Sequence, residues 1–180
     1  MAEQVVELLL RQHEEIRRLF AEVERTSGKE REEAFGRLRH LLAVHETAEE
    51  EIVHPFARRE LRDGEKVVDA RLKEENEAKG VLERLEKTGV DDPEFDALFS
   101  RLRKEVEEHA RHEESDEFPH LAAAASAEQL RGMATAVRAA EAVAPTHPHQ
   151  GVESATKNMV LGPMAAVADR ARDAIRKARG

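Results

Sequence analysis

Apolar residues recur along this chain at three- and four-residue intervals, which predicts a succession of long amphipathic helices. The first, residues 3–26, carries Val5, Leu9, Ile16, Phe20 and Val23 on one stripe, widened by Leu8 and Leu19, and ends at Ser27-Gly28. His13 falls on that stripe between Leu9 and Ile16. The second runs over residues 29–61 with Phe35, Leu38, Leu42, His45, Glu49 and Ile52 facing inward. Pro55 should kink it, and His40 and His54 fall off the stripe, so both are expected in solvent. After the turn Arg62-Asp63-Gly64, a third helix covers residues 65–88, with Val68, Leu72, Val81, Leu82 and Leu85 as its core positions. Asp92-Pro93 then predicts the start of a fourth, carrying Phe95, Phe99, Leu102, Val106, His109 and Glu113 inward and bending at Phe118-Pro119.

Four helices of this length with short connections predict an all-α fold: an antiparallel up-down-up-down four-helix bundle over residues 1–122. Residues 123–180 read as a helical C-terminal extension. Ser126 and Gln129 form a capping-box pattern that opens an alanine-rich helix to about Val143. Pro145 to Gly151 reads as a loop, and Gly162-Pro163 starts a last helix with Met164, Val167, Ala168, Ala174 and Ile175 on one side. The two loop histidines, His147 and His149, do not fill a coordination sphere.

Composition narrows the function. The net charge of −9 and pI near 5.5 disfavour nonspecific nucleic-acid binding, which depends on neutralising phosphates. The basic last turns (Arg170, Arg172, Arg176, Lys177, Arg179) read as a solvated terminus. The absence of cysteine excludes disulfides, iron–sulfur clusters and thiol nucleophiles, so any iron must be held by nitrogen and oxygen. With no 18-residue apolar run and no basic leader before an apolar core, a soluble cytoplasmic protein with no membrane contact is expected.

One stretch occurs twice. His45 to Pro55 and His109 to Pro119 both read H-x3-E-E-x4-P, and the likeness extends upstream through Phe35 with Phe99 and Leu38 with Leu102. A histidine and a carboxylate four residues apart lie one turn apart on one helix face, which is a two-point clamp for a cation that accepts imidazole and carboxylate. Both clamps replace core positions, where an ionised carboxylate is costly without a cation or donor. On an ideal helix the position four residues after the histidine lies about 40° from it and the fifth about 140°. This geometry selects Glu49 and Glu113 over the adjacent Glu50 and Glu114.

With His13-Glu14-Glu15 on the first helix and Phe118-Pro119 after the second clamp, the pattern resembles the hemerythrin-like, or HHE cation-binding, domains over about residues 4–121. The resemblance implies a non-haem centre of two Fe ions, oxo- or hydroxo-bridged, with His13, His45, Glu49, His109 and Glu113 as ligands. In that family's oxygen carriers one bridging acid lies five residues after its histidine, which would bring in Glu114. The family also places a histidine on its third helix, where this chain, aligned with His13 at an offset of 63, has Asn76. Solvent, or a carboxylate from Glu77 or Glu74, is expected to fill that place. A ferritin-like alternative, built on Glu51-x2-His54 and Glu117-x2-His120, encloses Pro119 and is out of phase with the repeat.

The resemblance implies dioxygen, peroxide or nitric oxide as the small ligand. A missing histidine opens a coordination position, so the expectation is a response to oxygen or oxidative stress, with catalase- or peroxidase-like peroxide decomposition favoured over reversible oxygen carriage. The alternative is an iron- or oxygen-sensing module that signals to a protein partner through its C-terminal helices.

Overall fold

The computed structural model of the protein describes residues 3–142. Helix α1 spans Val5–Arg25, α2 Gly28–Ala48, α3 His54–Glu60, α4 Gly64–Thr88, α5 Phe95–His112, α6 Phe118–Ala124 and α7 Ala127–Glu141. No strand occurs among the described residues. Short turns send each long helix back along its predecessor, α1 packing along α2 and α4 along α5, so the expected four-helix bundle is the observed one. The fifth helix starts with the reciprocal Ser126–Gln129 capping box that its sequence predicts. The fourth helix begins at Phe95, later than Asp92-Pro93 suggests, because Asp92 caps a turn by accepting from the Glu94 amide. The loop histidines and the last helix expected beyond residue 142 lie outside the described residues.

Both proline bends take one form. A π-helical turn, Glu49–Val53, joins α2 to α3, and a second, Glu113–Glu117, joins α5 to α6. Pro55 and Pro119 have no amide hydrogen for the ordinary helical bond, and the preceding residue reaches one position further back. Thus the His54 amide bonds to the Glu49 carbonyl and the Phe118 amide to the Glu113 carbonyl. Each π turn absorbs one extra residue and rotates everything after it by about 100° relative to an unbroken helix.

The apolar side chains form two clusters at different heights. Phe20, Phe35, Phe95 and Phe99 sit in one, with Phe95 stacked on Phe99 at 5.4 Å between centroids. Phe56, Phe118, Leu121 and Met133 belong to the other, which α7 closes. The turn before α4 is pinned. Asp63 is left-handed (φ 57°), and a Cβ on Gly64 would meet the Ala57 carbonyl oxygen at 2.2 Å. Gly64→Ala should therefore destabilise the chain by about 1–3 kcal/mol through forced backbone displacement. Urea unfolding measures this, and an unchanged midpoint would show that the turn relaxes freely.

Candidate metal centre

Between the two apolar clusters lies a layer of buried histidines and glutamates. His13 comes from α1, His45 from α2, Glu49 from the first π turn, Glu75 from α4, His109 from α5 and Glu113 from the second π turn. Their exposures run from 0% for Glu49 and Glu113 to 7% for His109. His13 Nε2 is 3.1 Å from His45 Nε2 and 3.2 Å from Glu113 Oε2. His45 Nε2 is 3.4 Å from Glu49 Oε1, and His109 Nε2 is 3.3 Å from Glu113 Oε1. Two sets of donor atoms each lie within 4.8 Å of one another: His13, His45, Glu49 and Glu113, and Glu49, Glu75 and His109. Glu49 belongs to both.

The donors fit a cation, because their lone pairs are otherwise unmet. Both carboxylate oxygens of Glu49 and of Glu113, Oε2 of Glu75 and Nε2 of His109 are buried with no hydrogen-bond partner. Each such atom costs about 1–3 kcal/mol if left unsatisfied. Imidazole nitrogen and carboxylate oxygen together suit iron, manganese and zinc.

The ring nitrogen of each histidine that faces away from the cluster has its own partner. His13 Nδ1 lies 2.8 Å from Glu114 Oε1, which Arg17 also holds at 2.8 Å. His109 Nδ1 lies 3.1 Å from Glu74 Oε2, whose other oxygen accepts from Arg71 at 2.9 Å and meets His112 Nδ1 at 2.9 Å. His45 Nδ1 lies 2.8 Å from Gln12 Oε1. An acceptor at Nδ1 keeps the hydrogen there and leaves the Nε2 lone pair for a cation.

Several expectations change here. Glu114 and Glu74, considered above as ligands, orient His13 and His109 instead, and Glu77 is exposed beside Lys73. Asn76 is half-buried and outside both donor sets. The residue that α4 supplies is Glu75. Its helix aligns with α1 at an offset of 62 rather than 63: His13, Ile16, Phe20 and Val23 correspond to Glu75, Ala78, Leu82 and Leu85, and all eight are buried. His54 is not in solvent. It is 2% exposed, with Nε2 2.8 Å from Glu75 Oε1 and Nδ1 3.4 Å from Glu117 Oε1. At its repeat-equivalent position Phe118 stacks on His13, centroids 5.6 Å apart. Lys79, one turn after Glu75, is buried and salt-bridged to Glu50, to Glu46 at 3.6 Å and to Glu75 at 3.8 Å.

Charge in this layer is distributed by contact. Burial, with the neighbouring His13, pushes the His45 pKa down to about 3. Burial and the Glu113 charge hold the Glu49 pKa well above the usual carboxylate range. Burial opposes ionisation of Glu113 too, but His109 and His13 outweigh it and hold its pKa well below that range. Burial lifts Glu46 to about 7 and Glu50 to about 8, even with Lys79 between them. His54 and His109 are held above the ordinary histidine range: burial acts against this, and their carboxylate neighbours prevail.

A cavity of about 20 Å³ opens beside His13, His45, His109 and Glu75, with Ile16, Phe20, Leu42 and Val106 as its apolar wall. Comparison with known proteins assigns this architecture. The family model described as hemerythrin HHE cation binding domain matches residues 4–121. The chain belongs to that family. The matched residues end before α7 begins. A DNA nickase of Nostoc sp. (strain PCC 7120 / SAG 25.82 / UTEX 2576) is 30% identical over 130 residues, 72% of this chain and 36% of the relative. The chain therefore spans about a third of that relative's length. No solved structure matches. No helix among the described residues is long and apolar enough to cross a membrane.

Proposed function

We propose that this chain holds two iron ions in its core and binds or reacts with dioxygen, peroxide or nitric oxide there, with peroxide decomposition as the favoured reaction. The observation that carries this reading is the division of the donors into two sets joined at Glu49, beside one small cavity. His13, His45, Glu49 and Glu113 would hold one ion, and Glu49, Glu75 and His109 the other. Iron there would supply electrons and an open coordination position. The chain's own side chains do the rest. A cavity of about 20 Å³ has room for a water-sized guest, so the ligand is a molecule of two to four atoms. Ile16, Phe20, Leu42 and Val106 give it an apolar wall. His54 and Lys79 fix Glu75 from outside the cavity. A carboxylate rather than an imidazole from α4 favours the oxidised ion, which suits peroxide chemistry better than reversible oxygen carriage.

The activity in the Nostoc relative's name is a poorer guide. A phosphodiester is far larger than the cavity, and a net charge of −9 opposes a polyanion. A second reading, an iron or oxygen sensor that signals to a protein partner through its C-terminal helices, is favoured by the packing of α7 on α1, α2 and the first π turn.

The test is metal content per chain with the visible spectrum before and after peroxide. Close to two irons, loss of added peroxide, and loss of both metal and reactivity in His45→Ala and His109→Ala are expected. Colourless zinc, or one iron or less in the wild-type chain, would end the di-iron reading.

A further inference from the structure

Of the three metal-facing histidines, His45 is oriented differently. Glu114 and Glu74, which hold His13 and His109, are carboxylates on the bundle's own elements. His45 leans on a neutral amide, Gln12, which is buried beside it. The other end of that amide leaves the bundle: Gln12 Nε2 donates to Glu141 Oε1 in the last turn of α7. Helix α7 lies beyond the residues matched by the family model, so this contact is supplied by the chain's extension. It is firmly seated, with Met133 and Val137 fully buried and Arg138 paired with Glu3 next to α1.

The chemistry of the three groups sets their order. An ionised carboxylate only accepts hydrogen bonds, so Glu141 must face the amide nitrogen of Gln12. The amide oxygen is then turned to His45, and because it too only accepts, the hydrogen of the neutral imidazole sits on Nδ1. His45 Nε2 is left with its lone pair aimed at the donor cluster, 3.4 Å from Glu49 Oε1. Were the amide reversed, its NH2 would face Nδ1, and the hydrogen would move to Nε2 and block the cation's place.

We propose that Gln12 is a positioning residue of the metal centre and that Glu141, from α7, sets its direction, so that the C-terminal extension selects the metal-binding tautomer of His45. The proposal rests on the metal-binding reading of the site. The link runs both ways: whatever displaces the end of α7 weakens the centre, and occupancy of the centre holds α7 in place.

The experiment is cobalt(II) titration by calorimetry of the full chain, together with the ¹⁵N spectrum of His45 in the metal-free state. Gln12→Leu should weaken binding by about 10–100-fold, the usual loss when a metal-bound histidine loses its hydrogen-bond partner. Glu141→Leu, at a half-buried position that tolerates substitution, should weaken it by about 3–10-fold and mix the His45 tautomers. Because the two act in series, the double variant should be no weaker than Gln12→Leu alone. Exchanging the pair (Gln12→Glu with Glu141→Gln) keeps an acceptor towards His45 and should recover binding to within about threefold of wild type. Wild-type affinity with an unchanged Nδ1–H signal in Glu141→Leu would overturn the proposal, as would losses that simply add in the double variant. If the wild-type chain binds no cobalt, the metal reading fails, and the His45 tautomer in Glu141→Leu still decides the link to α7.

Discussion

Glu49→Leu should abolish cation binding and yet stabilise the metal-free chain by about 1–3 kcal/mol, the range for removing a buried group without hydrogen bonds. Glu49 is fully buried, and neither of its carboxylate oxygens has a hydrogen-bond partner. Burial and Glu113 already force its pKa upward, so it remains in the core as a strained acid when no cation is present. Leucine is close in size and removes that strain. Glu49 is also the one residue shared by both donor sets, so the same change removes a ligand from each. Stability and binding then move in opposite directions, as expected where a site is kept at the expense of the fold. Urea unfolding under chelator and cobalt titration give the two readouts. A metal-free Glu49→Leu chain less stable than wild type would show that Glu49 makes a favourable contact in the empty core.

Most of the bundle can be read from periodicity, because its long helices bury one stripe each. His13, Ile16 and Phe20, or Leu102, Val106 and His109, keep their faces over several turns. What the pattern conceals follows from two departures from the 3.6-residue turn. Past Glu49 the π turn absorbs a residue, so His54, five positions on, stands where the fourth would on an unbroken helix. Periodicity therefore sends His54 to solvent, while the chain puts it against Glu75 and Glu117. The prolines at 55 and 119 signal a bend but not its kind. On α4 the sequence carries a clue: Val68, Glu75 and Lys79, and Leu82 share one face, and a glutamate and a lysine among core positions suggest a compensated site. A shift of one residue in pairing α1 with α4 points to Asn76 instead. The roles of Gln12, Glu74 and Glu114 depend on which ring nitrogen each histidine turns outward, and that is a tertiary fact.

The second large effect is on pH. Metal-free, the chain should be most stable at about pH 5 and lose stability as the pH rises from there to about 8, an effect of several kcal/mol at about 1.4 kcal/mol per pH unit for each extra proton held. Glu46 and Glu50, raised to about 7 and about 8, keep protons in the folded chain that an unfolded glutamate releases near 4.5. Between those values the folded state binds more protons, so raising the pH favours unfolding. His54 and His109, raised above 6.5, act in the same direction once the pH passes the unfolded histidine value. His45 acts oppositely. With its pKa near 3 it holds fewer protons folded than unfolded from about pH 3 to 6.5, so its contribution is lost as the pH falls through that range. Glu75 and Glu113, both lowered, add to the loss in acid. Urea midpoints at half-unit intervals from pH 4 to 9 measure the curve, and a flat or rising limb between pH 5 and 8 would refute it. Adding the cation should flatten that limb. Glu49 and His109 must give up their protons to bind it, so loading releases protons and tightens with pH over the same interval in which the metal-free fold weakens. The core thus trades protons for metal, and the pH dependence of the cobalt affinity measures how many.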